Sequence, residues 1–180
     1  SDDYGPDLAF IALPPSAMLR ELKARKSFIN LTLSVPQRVA AAREETGFVA
    51  FCGYPATRNR EEPGRLGFHT ALNLLGIAFL TAQEKAEERN GWDYVELGIS
   101  HDEVADIGAK FGGVSGGGVW RVPVYRRRGD APGQEYFKDM TFAGVAFLEQ
   151  DYGRGNRFFI RAHGPSSIYQ NFVSYVRSAK

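Results

Sequence analysis

The chain has 180 residues, with 22 Lys and Arg against 21 Asp and Glu, and 43% of it is hydrophobic. A formal charge of +1 argues against a nucleic-acid binder or membrane clamp that works through bulk positive charge, and the apolar share argues against disorder. The single cysteine, Cys52, excludes a disulfide framework and a structural zinc site built on several thiolates; a reducing, cytoplasmic setting is expected.

No apolar run approaches the roughly 18 residues of a membrane span. The acidic start, Ser1 to Asp7, lacks the basic lead of a secretory signal. Leu8 to Leu13 is a short apolar run closed by Pro14-Pro15, the pattern of a buried strand ended by a breaker. Ser16 is placed to cap a helix through about Lys26, with Ala17, Leu19 and Leu22 apolar and Arg20, Glu21, Lys23 and Arg25 solvated. Val35 to Glu45 reads either as a second helix entered through Pro36 or as a long loop. Phe48 to Gly53 reads as a strand, and Arg58 to Arg65 as a charged loop.

From there the pattern is mainly β. Leu72 to Thr81 is apolar, Gln83 to Arg89 charged, and Asn90-Gly91 is a turn signal before the alternating Trp92 to Leu97. A hairpin with a charged, extended connection fits this best. The competing reading is a helix over Ala71 to Arg89, favoured by its Leu, Ala, Glu and Lys content. Strands follow at Val119 to Tyr125, Met140 to Glu149 and Arg157 to Ala162. Ser166 to Lys180 sets Ile168, Phe172, Val173 and Val176 on one face, so a terminal helix capped by Ser166 or Ser167 is expected.

The most unusual stretch is Phe111-Gly112-Gly113-Val114-Ser115-Gly116-Gly117-Gly118-Val119-Trp120, in which five of ten residues are glycine. Glycine serves where the backbone takes positive φ or approaches another group closely. A phosphate-cradling loop would need a Gly-Lys-Ser/Thr or a GxGxxG that opens a helix, and neither is here. The GxSxG elbow of α/β-hydrolases is matched formally by Gly113 to Gly117. That elbow turns from strand into helix, whereas Gly117 to Val122 reads on as a strand. A glycine-rich β-turn with an incidental serine is the purely structural alternative.

A fourth reading adds a resemblance. The segment resembles the Gly-x-Ser-Gly-Gly signature of the trypsin/chymotrypsin-like serine peptidases, which include bacterial HtrA-type and intracellular members. The resemblance implies that Ser115 is the nucleophile and that the amides of Gly113 and Ser115 form the oxyanion hole. It also implies that Gly116 and Gly117 keep the substrate-facing backbone bare. Val114 fills a slot that is often acidic in vertebrate digestive members. Asp7-Leu8-Ala9-Phe10-Ile11 looks like the strand that carries the family's triad aspartate, which would make Asp7 catalytic; the alternative for Asp7 is a turn acid after Gly5-Pro6. Phe48 to Pro55 looks like the first strand of the second barrel. Phe142 to Phe147 looks like the strand after the nucleophile, which lines the substrate cleft; Gly116, Ala146 and Phe147 would be cleft residues, and the specificity pocket would lie near Ala109 and Ala146-Phe147 with no charged anchor.

The implied fold is all-β with a few helices: a trypsin-like double β-barrel lacking its first strands, with a C-terminal helix. Residues 1–46 would be the remainder of the N-terminal barrel and the crossing linker, and residues 47–180 the C-terminal barrel. The implied activity is peptide-bond hydrolysis through an acyl-enzyme on Ser115, on a peptide or protein substrate, with no metal or cofactor.

One part of the pattern is missing. A serine hydroxyl needs a base, and in this family the histidine precedes the aspartate. His69, His101 and His163 all follow Asp7, and ordinary surface or partly buried positions account for them. The histidine is expected from strands upstream of Ser1. The alternatives are a pseudoprotease that binds peptide without cutting it, and a rearranged dyad of Ser115 with His163 or His101. Tyr125 to Asp130 reads as a solvated hairpin tip or a basic exosite, Phe158, Phe159 and Trp120 as core, and Cys52 as an inert buried thiol.

Overall fold

The computed structural model describes residues 7–25, 28–43, 47–53, 60–63, 70–73, 77–100, 115–131, 133–137, 139–150 and 157–178. In chain order these form α1 (Ala17–Arg25), α2 (Val35–Ala42), β1 (Phe48–Gly53), β2 (Arg60–Pro63), β3 (Thr70–Asn73), β4 (Ile77–Arg89) and β5 (Trp92–Ser100). Then come β6 (Gly118–Val122), β7 (Val124–Tyr125), β8 (Tyr136–Phe137), β9 (Thr141–Gln150) and β10 (Arg157–His163). A π-helical turn, Ser167–Phe172, runs on into α3 (Val173–Ser178). The protein is therefore mostly β with a few helices, as the sequence predicts. No helix among the described residues is long and apolar enough to cross a membrane.

Six antiparallel strands close a barrel in the order β1-β4-β5-β10-β9-β6. Period-2 patterning explains what fills it. Phe158, Ile160 and Ala162 alternate along β10, Leu97 and Ile99 along β5, and Val49 and Phe51 along β1, and all are buried in one cluster with Val119 and Ala146. Burying each large side chain of this kind contributes about 1.5–3 kcal/mol. Register shifts in β4 near Gln83, between β9 and β10 at Arg161/Ala162, and between β6 and β9 at Val119/Trp120 supply the bends that closure needs.

The hairpin reading holds for residues 77–97 and the helix does not, while Leu72 and Asn73 belong to β3, paired with β2. The charged run belongs to strand β4 itself, and the turn is Asn90-Gly91, with φ of 52° and 78°. β4 pairs with β5 from Arg89↔Trp92 onward. Glu87 stays half-buried in that strand, ion-paired to Arg161 on β10 and to Lys85. Cross-strand charge pairing thus overrides helix propensity.

Three expectations are corrected. Leu8 to Leu13 forms no strand and is not buried: Phe10, Ile11 and Leu13 are 46%, 85% and 45% exposed. An apolar run becomes a buried strand only beside a partner, and none of the described strands pairs with it. The Arg58 to Arg65 segment is not all loop, because Arg60–Pro63 pairs with Thr70–Asn73. The terminal helix is not capped by a serine hydroxyl. Instead the Asp93 carboxylate, at the start of β5, accepts from the amides of Ser166 (3.0 Å) and Ser167 (2.5 Å). Asp93 also ion-pairs with Arg43 at the end of α2, at 3.5 Å.

Elsewhere the local signals hold. The Ser16 hydroxyl accepts from the Leu19 amide at 3.1 Å and opens α1. Pro36 lies in the first turn of α2. The Val119 to Tyr125 strand is interrupted at Pro123, which splits it into β6 and β7. Phe158 is core, whereas Phe159 and Trp120 are half-buried.

Candidate active site

The glycine-serine segment is described from Ser115 onward. Ser115 and Gly116 form a turn that runs directly into β6, so the chain leaves the serine as a strand and not a helix. This geometry disfavours both the hydrolase elbow and a phosphate loop, which need a helix at that point. Gly116 has φ +86°, with nothing within 4 Å of a built Cβ, so backbone conformation and not crowding demands glycine there. The turn is stitched to β9 by two hydrogen bonds: the Gly116 amide donates to Ala146 O at 2.8 Å, and the Ala146 amide to Gly117 O at 2.9 Å. The exposed Ser115 hydroxyl donates to the Phe147 carbonyl at 2.9 Å.

Asp7 and Ser115, far apart in sequence, line one cavity of about 410 Å³. Gly116, Ala146 and Phe147 line it too, so five predicted site residues meet at one place. Gly113, the other expected oxyanion donor, and Ala109, His69 and His101 lie outside the described residues. Of the remaining walls, Phe142 and Val145 lie on the strand expected to line the cleft and Leu8 and Ala9 on the stretch expected to carry Asp7, whereas Leu31, Ile168 and Phe172 were not expected at the site. Leu8 and Ala9 follow Asp7, Leu31 comes from the loop between the first two helices, Phe142 and Val145 from β9, and Ile168 and Phe172 from the π-helical turn. The apolar face of the terminal helix was legible, but nothing in the sequence says that it borders Ser115. A larger cavity of about 650 Å³, lined by Arg43, Asp93, Tyr94 and Arg121 among others, holds none of the predicted site residues.

His163 is fully buried, where a surface or partly buried position was expected. Alternation sends Ala162 into the core, so His163 points to the other face of β10. There it is boxed by Phe147, Tyr94 and Trp92, with ring centroids at 4.6, 5.0 and 6.1 Å. Neither ring nitrogen has a hydrogen-bond partner among the described residues. Burial drives its pKa down to about 4, and the charges of Asp7 and Asp93 only partly offset that. Since the Ser115 hydroxyl donates to a carbonyl and neither His163 nitrogen is hydrogen-bonded among the described residues, the two form no hydrogen-bonded dyad in this arrangement.

Cys52 is half-buried and free, and burial pushes its thiol pKa up, which makes it a poor nucleophile. The Tyr125 to Asp130 stretch is an exposed loop leaving β7. Arg127 lies over the Tyr136 ring at 4.4 Å, and Arg126 pairs with Glu135 at 3.3 Å. No group of three His, Cys, Asp or Glu gathers in metal-holding geometry among the described residues.

No protein-family model, curated protein or solved structure matches the chain.

Proposed function

We propose that this chain carries the nucleophile half of a trypsin-like serine endopeptidase, working in a reducing, cytoplasmic setting on peptide or protein substrates. The observation that carries the reading is that Ser115, on a glycine turn entering a strand, shares one cavity with Asp7. In this reading the barrel formed by residues 48–163 is the second of two. Asp7 holds an imidazole in the tautomer that removes the Ser115 hydroxyl proton. The freed oxygen leaves the Phe147 carbonyl and attacks the substrate carbonyl carbon. The Gly113 and Ser115 amides hold the oxyanion that forms. The imidazolium then protonates the departing amine, and water releases the acyl group from Ser115.

No histidine is among the described residues lining the cavity. In this reading the base comes from outside the described residues, and the exposed apolar surface at Phe10, Ile11, Leu13, Phe28 and Leu33 is where an element that carries it would dock.

The same observation favours a second reading, a pseudoprotease. Without a base, and with its hydroxyl donated to Phe147, Ser115 would sit in a cleft that binds peptide and does not cut it. Hydrolysis of an unfolded protein substrate separates the two. The peptidase reading expects cleavage that Ser115→Ala abolishes and that Asp7→Asn lowers by about 10⁴-fold. A wild-type protein that binds peptide and never cleaves it supports the pseudoprotease.

A further inference from the structure

The cavity beside Ser115 has a definite chemistry. Apart from Asp7, Ser115 and Gly116, its walls are the apolar residues Leu8, Leu31, Val145, Phe147, Ile168 and Phe172, together with Ala9, Phe142 and Ala146. At about 410 Å³ it has the size of a small-ligand pocket. Two of its aromatic walls are fixed from behind. The Phe147 ring is backed by His163 at 4.6 Å and meets Tyr94 edge-on at 5.9 Å. The Phe172 ring meets Phe10 edge-on at 6.3 Å. Phe172 and Ile168 both belong to the π-helical turn, a distortion that recurs where a helix has to present side chains to a site.

Resting on the reading of Ser115 as nucleophile and Asp7 as the partner of a base, we infer that this cavity is a specificity subsite. It takes one bulky aliphatic or aromatic side chain of the peptide, on the acyl side of the bond that faces Ser115. Phe172 and Leu31 are its selecting residues. Asp7 is the only charged residue among the described lining residues, so it repels an acidic side chain. With Asp7 committed to the imidazole, the apolar walls offer nothing to pair a lysine or arginine, and desolvating either charge there is costly. An apolar side chain fills the space and displaces water at no such cost.

The test uses the intact protein, with the element that supplies the imidazole, carrying Ser115→Ala, and fluorescent peptide amides that differ only in one acyl-side residue, each position being varied in turn. Anisotropy titration should give Leu and Phe peptides about tenfold tighter than the Ala peptide, with Lys and Glu peptides weaker than Ala. Phe172→Asp should erase that preference and Phe172→Leu should keep it. Should Phe172→Asp fail to fold, Leu31→Ser, on the loop, carries the same expectation. Equal affinities across the series, tightest binding of the Lys peptide, no binding by any peptide, or a preference that survives both disrupting variants would overturn the subsite. Hydrolysis of the same peptides by the intact wild-type protein, with the element that supplies the imidazole, tests the underlying reading separately. Apolar-selective binding without hydrolysis contradicts the peptidase and leaves the subsite standing. Hydrolysis with no apolar preference does the reverse.

Discussion

Two parts of the molecule use the same kind of sequence and reach opposite ends. In the barrel, Ile160 and Phe158 alternate along β10 between two neighbouring strands and are 0% and 1% exposed. In the segment from Asp7 to Leu33, Phe10, Ile11, Leu13, Phe28 and Leu33 are all at least 45% exposed. Both stretches carry large apolar side chains, but among the described residues only the barrel's lie on paired strands. A strand's amides and carbonyls must be satisfied before its side chains can be buried, and only the barrel satisfies them internally. The N-terminal segment has the composition of an interior and the surroundings of a surface, and Asp7 lies at its edge. That contrast bears on the proposed chemistry, because the exposed stretch begins next to Asp7, the residue proposed to hold the base.

The largest expected effect sharpens the contrast directly. Ile160→Ala should destabilise the protein by about 2–5 kcal/mol in denaturant unfolding, because the barrel cannot collapse around the lost volume. Ile11→Ala should change it by no more than about 0.5 kcal/mol. A loss at Ile11 comparable to that at Ile160 would mean that the segment is packed in solution.

His163 gives a second handle, since its ring sits between the barrel and the Ser115 cavity. Its folded pKa is about 4, below the ordinary 6.5, so the unfolded chain takes up the proton first as pH falls. The stability that the neutral ring contributes is complete above pH 6.5 and is lost as pH drops towards 4, by about 3 kcal/mol in all. His163→Phe keeps the aromatic box filled and should remove this part of the slope. Parallel pH profiles for the two proteins would show that the ring is not buried.

A smaller effect belongs to the joint between the regions. Asp93 holds the start of the terminal helix and Arg43 of α2, so Asp93→Ala should cost about 1–3 kcal/mol by leaving the Ser166 and Ser167 amides without their acceptor. The terminal helix carries Ile168 and Phe172 into the cavity, so the same variant should weaken binding of apolar peptides as well. Unchanged unfolding in Asp93→Ala would mean that another group caps the helix.

What could be read from the sequence follows from how local each signal is. The Ser16 cap, Pro36 at a helix start, and the Asn90-Gly91 turn act over a few residues, and all appear where expected. The strand exit from Ser115 was equally legible, because glycine and β-branched residues disfavour a helix there. Non-local outcomes were not. Nothing in Leu8 to Leu13 states whether a partner strand adjoins it. Nothing in Gln83 to Arg89 reveals that Arg161, distant in sequence, awaits Glu87. His163 was hidden for the same reason: its burial depends on Phe147, Tyr94 and Trp92, brought together only by the register of β9 and β5 around β10. At the site, the sequence supplied Ser115, Asp7, Gly116, Ala146 and Phe147, and the fold supplied the apolar walls from Leu31, Ile168 and Phe172.

The central claim is that Ser115 is an activated nucleophile, and covalent labelling tests it most directly. Intact protein treated with a fluorophosphonate probe should be modified at Ser115, as read by peptide mass mapping, and Ser115→Ala should remain unlabelled. Intact protein that takes up no probe, or takes it up equally with Ser115 replaced, would contradict the account.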